Sequence, residues 1–194
     1  MVQYQREVFA KYTKNTIRVY QAYHEEIAKE ALRLQTFGEN YNINRMTWIK
    51  PSFLWMMHRS GWGTKKNQEW ILAIDIQRAV FDDFLKRAVL TSPQVHALDG
   101  KQWEKAFAKT MVYCQWDPDR NTNGDAIGRA AIQIGIKAEA MQQFLHGILQ
   151  IEDMTPYVRK WNTQRKAGKL NPKQLPIEEK YAVTDTEIRK KLGM

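Results

Sequence analysis

The sequence predicts an α+β fold, with a split and mostly antiparallel sheet and flanking helices, in a single domain over residues 1–194. Three observations carry this. Apolar residues recur at period two in several short runs and at helical spacing in others. The later part of the chain lacks the regular strand–helix–strand rhythm of a parallel sheet. A chain of 194 residues with 43% hydrophobic content suffices for one buried core and is short for two. The core is expected over 4–160, and residues 161–194, polar and irregular, are expected to wrap it as an extended basic arm.

Residues 16–23, TIRVYQAY, are β-branched and aromatic and read as a strand, with Ile17, Val19, Gln21 and Tyr23 on one face and Arg18, Tyr20 and Ala22 on the other. HEEIAKEALRLQTF follows with Ile27, Ala31, Leu32 and Leu34 at helical spacing, and Glu25 and Glu26 suit the positive end of its dipole. Gly38-Glu39-Asn40 is a turn, RMTWIK a second strand, and Pro51 the first position of the helix SFLWMMHRS, which Gly61 and Gly63 end. EWILAIDI is short and nearly all apolar, as a central strand is. In QRAVFDDFLKRAVL the pairs Val80/Phe81, Phe84/Leu85 and Ala88/Val89 line one helix face. Residues 92–110 read as a loop with a short helix, MVYCQWD as a strand, DPDRNTNGDAIG as a polar loop and RAAIQIGI as a strand. AEAMQQFLHGILQ repeats the helix-face pattern through Ala140/Met141, Phe144/Leu145 and Ile148/Leu149.

Composition excludes several function classes. Without a run of about 18 apolar residues or a signal-peptide core, the chain is expected to be cytoplasmic with no membrane contact. One cysteine, Cys114, permits no internal disulfide and sits in an apolar run, where a small core residue belongs. The histidines His24, His58, His96 and His146 have no metal-ligand spacing, so no metal is expected. No G-x-G-x-x-G, P-loop or G-x-S-x-G occurs. A net charge of +9, concentrated between Arg159 and Lys191, favours an anionic partner such as a nucleotide or nucleic acid.

The stretch MTWIKPSFLWMMHRSGWG, residues 46–63, mixes aromatic area with polar hands as a binding cleft does. A helix starting at Pro51 sets Phe53, Met56 and Met57 toward the core, with Ser52, Trp55, Arg59 and Trp62 along another side. Its N-terminus, with Lys50 beside it, would suit a phosphate. In RAAIQIGI, Gln133 lies between the small residues Ala131 and Gly135 on the face that also carries Arg129, which leaves room for a ligand. Gln21 stands at the end of its strand, where polar site residues emerge. QWDPDR adds Trp116, Asp117 and Arg120 at a strand exit, with Asp117-Pro118 read as turn chemistry.

The ordered set VYQAY, RMTWIKPSFLWMMHRSGW, QWDPDR and RAAIQIGI resembles the family known as domain of unknown function 4291, from about residue 4 to 194. The layout is also similar to that of ADP-ribosyltransferase-like domains, particularly those acting on nucleic acid. That likeness implies a split sheet clasping NAD as substrate. It puts Gln21 and Gln133 in the catalytic places usually held by His or Arg and by Glu, and Lys50, Ser52 and Trp55 in the second strand's place. Tyr23, Lys50, Ser52, Trp55, Arg59, Trp62 and Arg129 are then the expected NAD contacts, with DNA or RNA as acceptor. The alternative is a non-catalytic nucleic-acid-binding module whose tryptophans stack on bases while Lys and Arg meet phosphates.

Overall fold

A computed structural model describes residues 4–92 and 100–194 as a mixed α/β structure. The strands are β1 (Gln5–Arg6), β2 (Phe9–Ala10), β3 (Thr16–Tyr23), β4 (Thr47–Ile49), β5 (Trp70–Gln77), β6 (Val89–Leu90), β7 (Val112–Arg120), β8 (Ala126–Ile136), β9 (Ile148–Asp153) and β10 (Glu179–Lys180). The helices are α1 (Glu25–Leu34), α2 (Phe53–Ser60), α3 (Arg78–Arg87), α4 (Gly100–Lys109), α5 (Glu139–Gly147), α6 (Thr155–Lys166) and α7 (Thr186–Leu192). Strands β3, β5 and β9 form an antiparallel sheet in that order. In a second, five-stranded sheet β8 pairs antiparallel with β7 on one edge, while antiparallel β4 and parallel β1 share its other edge. β6 extends this sheet beyond β7, in parallel, and β10 pairs with β2 apart from both. An isolated bridge between Tyr20 and Lys50 seams β3 to the end of β4, the Tyr20 N–H donating to the Lys50 carbonyl at 2.7 Å.

The alternation in each strand decides what lies on either side. Ile17, Val19, Leu72, Ile74 and Ile76 face a core shared with Ile132, Ile134 and Ile136 of β8 and with Phe81, Phe84, Met141 and Phe144 from α3 and α5. The other side of the three-stranded sheet, through Tyr20, Ile71 and Ala73, packs on Phe53, Met56 and Met57 of α2 and on Val158 and Trp161 of α6. Each such fully buried side chain contributes roughly 1.5–3 kcal/mol. The apolar β5 is central for this reason: both of its faces are covered.

Several segments depart from the sequence expectation. Ala88 and Val89 are expected on the α3 face, but α3 ends at Arg87 and Val89–Leu90 is the strand β6, which finds its hydrogen bonds on the edge of β7. Ile148 and Leu149 continue the helix-face spacing of α5, yet Ile148–Asp153 is the strand β9, because the open edge of β5 accepts its hydrogen bonds. Helix α5 can end against α3 at Gly147, where an added Cβ would lie 3.0 Å from Val80. Asp117-Pro118 is not a turn: β7 runs through to Arg120, and a register shift between Pro118 and Arg120 accommodates the missing N–H. The segment 161–194 is not simply an extended arm. It completes α6, supplies β10 and α7, and sends Tyr181 and Leu192 into the main core. Strand β4 is shorter than RMTWIK, covering Thr47–Ile49, and α2 begins at Phe53 rather than Pro51. Of the expected loop and short helix at 92–110, α4 is seen and 93–99 lie outside the described residues.

Arg18 on β3 is buried and donates to both oxygens of Asp75, its cross-strand partner, at 2.8 and 2.7 Å, with Glu152 at 2.9 Å. The Asp75 bond above all holds its guanidinium pKa well above the ordinary value. Removing one partner of such a pair leaves an uncompensated charge. We expect Asp75→Ala to lose about 3 kcal/mol in urea unfolding, and the double change Arg18→Met, Asp75→Leu to recover most of it.

Candidate functional site

The seam between the sheets opens into a cavity of about 590 Å³. The end of β3 gives it Gln21 and Tyr23, the 40–46 segment gives Tyr41 and Arg45, β4 and its exit give Thr47, Trp48 and Lys50, α2 gives Arg59 and the following turn gives Lys66. Its lining also includes His24 and, among the described residues, no aspartate or glutamate. The wall therefore has several cations and no anion, which favours a negatively charged ligand.

Two lining groups are set apart from ordinary polar surface. Gln21 is 2% exposed; its Nε2 donates to Thr47 Oγ1 at 3.0 Å, while its Oε1 is buried with no hydrogen-bond partner among the described residues. A buried acceptor left empty costs about 1–3 kcal/mol, and of the described side chains with such an atom Gln21 is the one in the cavity lining. Lys50 is 9% exposed, and its Nζ donates to the Trp48 carbonyl at 2.8 Å. Burial, reinforced by the Arg59 guanidinium and opposed by Asp117, brings its pKa down to about 7. Burial likewise raises the Tyr23 and Tyr41 hydroxyls above the ordinary phenol value.

Strand register places three of the sequence candidates on neighbouring strands. Gln21 lies on β3, Lys50 continues β4, and Gln133 lies on β8, one step beyond the Ile49–Ile134 pair in the direction of Lys50. Gln133 is buried and donates through Nε2 to Asp117 Oδ2, which also accepts from Gln115 Nε2 at 3.1 Å. Gly135 opposite Trp48 has a reason: an added Cβ would lie 3.1 Å from the indole ring. The ring therefore lies across β8 at a place that only glycine leaves open.

Other candidates lie elsewhere. The N-terminus of α2 already has acceptors from within the chain. Ser52 caps it, accepting from the Trp55 N–H at 3.3 Å and donating to Asp119 Oδ1 at 3.1 Å, and Phe53 N–H donates to Glu178 Oε1 at 2.5 Å. Ser52 and the helix start are thus engaged by the chain's own Asp119 and Glu178 and stand outside the cavity lining. Arg129 is held by Asp119 at 2.7 Å and lies over Phe9 at 3.9 Å from its ring centre. Trp55, 6% exposed, stacks on His58 at 5.3 Å, and its Nε1 is buried without a partner among the described residues. Trp62, 7% exposed, belongs to the α2–α6 core, edge-on to Phe53, with Arg165 over its face. Its φ of +58° between Gly61 and Gly63 is a conformation that a large residue keeps only when packing holds it.

Sequence reasoning passed over Tyr41, Arg45, Thr47 and Lys66 in the wall, and Glu178 at α2. Tyr41 and Lys66 come from short connections whose composition resembles any loop, while Arg45 and Thr47 lie in the RMTWIK segment, where strand alternation alone does not say which side meets a cavity. Asp117 and Asp119 were within reach, since they alternate on a strand with Gln115, but the proline between them reads as a turn. Cys114 is buried in the main core, which pushes its thiol pKa up and away from nucleophilic use. Among the described residues no group of three or more His, Cys, Asp or Glu is placed to hold a metal ion, and no helix is long and apolar enough to cross a membrane. His96 lies outside the described residues.

Glu178 gives a measurable consequence. The residue is half-buried but its carboxyl is turned inward, and burial lifts its pKa to about 8 despite the Phe53 N–H bond, with Asp119 adding to the rise. A carboxyl with a raised folded pKa favours the fold fully below its unfolded value near 4.5, and that contribution is lost as pH rises through about 8. Over this window the stability of the wild type relative to Glu178→Gln should fall by up to roughly 1.4 kcal/mol per pH unit, read from urea midpoints between pH 5 and 9. A constant difference across that range would show that the carboxyl does not titrate there.

A search of curated proteins finds no match to the chain. A family model does match, across residues 7–181, and that span takes in β3, the seam, the cavity wall, β7, β8 and Glu178. By that match the chain belongs to the family described as Domain of unknown function (DUF4291).

Proposed function

We propose that the protein is an NAD-dependent ADP-ribosyltransferase-like enzyme that binds NAD in the seam cavity and modifies nucleic acid. The single observation that carries this reading is the lining: cationic, free of carboxylates among the described residues, and holding an unpartnered acceptor, Gln21 Oε1. Two sheets meeting at β3 and β4, with Gln21, Lys50 and Gln133 on successive strands, also support an ADP-ribosyltransferase-like arrangement.

In this reading Arg45, Arg59 and Lys66 meet the pyrophosphate, as oriented cations do for phosphate oxygens, and the Lys50 Nζ beside them is a further N–H donor to it. Gln21 Oε1 accepts from a ribose hydroxyl, and Tyr23 and Trp48 offer ring faces. The bond that breaks joins the ribose C1″ to the nicotinamide nitrogen, which keeps the electron pair. The acceptor's lone pair then forms the new bond to C1″ and its proton is lost. Positive charge grows on the ribose between these events. Gln133 cannot oppose it alone, being neutral, but it is bonded to Asp117, whose carboxylate would supply the negative field. Most of the rate would come from position and field, since the leaving group is built into NAD.

The alternative, a non-catalytic nucleic-acid module using tryptophan stacking, would have to rely on Trp48 in the cavity wall, since Trp55 and Trp62 are packed within the protein. NAD at a hundredfold excess over Kd should raise the thermal midpoint by roughly 5–10 °C, and Arg59→Ala should abolish most of that shift. An unchanged midpoint would remove NAD from the cavity. With labelled NAD and DNA or RNA, Asp117→Asn and Gln133→Ala should each slow transfer by about a hundredfold with little change in the NAD-induced shift.

A further inference from the structure

We propose that Lys50 is a nucleophilic amine that captures a phosphate-bearing aldehyde, such as the open-chain form of an aldose phosphate, as an imine inside the seam cavity. This goes beyond the dinucleotide reading and does not depend on it.

The argument starts from where the amine sits. Lys50 is almost wholly buried, yet it lines a cavity large enough for a sugar phosphate. Burial penalises the charged form of an amine and leaves the neutral form, with its free lone pair, favoured. This one is desolvated, with the Arg59 guanidinium from α2 acting on it as a second cation and Asp117 from β7 as the opposing carboxylate; the balance brings it to about 7. Burial beside another cation is how a lysine becomes an unprotonated nucleophile at neutral pH. From β3 the lining has the neutral amide of Gln21 and the Tyr23 hydroxyl, His24 and Tyr41 are its other titratable groups, and Arg45 and Lys66 complete its cations. Those two, with Arg59, remain free to hold a phosphate while Lys50 reacts, and Gln21 Oε1 awaits a hydroxyl donor.

The step balances without any redox partner. The Nζ lone pair forms the N–C bond as the carbonyl π pair moves onto oxygen. A proton passes from nitrogen to that oxygen, giving a carbinolamine, and water then leaves with the C–O pair to give the imine. The carboxylate of Asp117 favours the protonated imine, as it does the ammonium.

The test uses the full chain with ribose 5-phosphate and cyanoborohydride, which reduces an imine to a stable amine, followed by peptide mass mapping. At pH 7 Lys50 should be modified at least about tenfold faster than any other lysine, with inorganic pyrophosphate slowing the reaction several-fold and unphosphorylated ribose reacting about tenfold more slowly. The rate should rise between pH 6 and about 7 as the amine loses its proton and fall again at higher pH, where the imine is no longer protonated for reduction, and Arg59→Ala should move the rise to higher pH by removing the neighbouring cation. Lys50→Arg should abolish the adduct at that position. Labelling spread over exposed lysines with no preference for Lys50, or Lys50 left unmodified, overturns the proposal. Mapping of the wild type decides it even where a variant fails to fold.

Discussion

The hydrogen bond from the Tyr20 amide to the Lys50 carbonyl is the contact on which the molecule's arrangement turns. On one side of it stands the three-stranded sheet, on the other β4 and the five-stranded sheet. Chains rarely leave a buried backbone donor or acceptor unpaired, so once β4 is zipped to β8 and β3 to β5, this pair closes the remaining gap. The consequence is geometric. The end of β3 and the exit of β4 are drawn together while their neighbours diverge, and the divergence is the cavity.

The same seam separates two polar regions that behave oppositely. On the α2 side, opposite charges and dipoles are matched within the chain: Glu178 and Ser52 meet the helix N-terminus, and Asp119 is shared between Ser52 and Arg129. On the cavity side they are not matched. Lys50 has a backbone carbonyl for its Nζ and an arginine for a neighbour, and Gln21 keeps an empty acceptor. A fold selected for stability alone would neutralise or exclude such groups, because desolvated charge and unpaired amides cost free energy. That they share one wall is what the proposed ligand site rests on.

The α2 helix shows how one segment serves both regions. Its first turn is fixed by Ser52 and Glu178, its middle by Phe53, Met56 and Met57 in the core, and its end by Gly61 in the left-handed region. Rigid at both ends, it presents Arg59 to the cavity. Trp62 just beyond it pays for its positive φ with packing against Phe53, under the Arg165 guanidinium.

The sequence by itself determined the periodic elements: β3 over Thr16–Tyr23, the helices α1, α3 and α5, the central β5 and the core face of β8. It also determined that Gln21 and Gln133 sit on strands, because a period of two or 3.6 assigns each side chain a face regardless of partner. Tertiary structure alone decided the rest. Ile148–Asp153 became a strand because β5 had an open edge, and residues past Trp161 joined the core because Tyr181 and Leu192 had somewhere to be buried. Trp55, Trp62, Ser52 and Arg129 could not be sorted from Lys50 and Arg59 by spacing, since composition carries no record of which partner arrives from a distant part of the chain. Asp119 lies 67 positions from Ser52, and Glu178 lies 125 positions from Phe53. Local propensity is read within a few residues, whereas a cavity wall is assembled by contacts that only folding brings together.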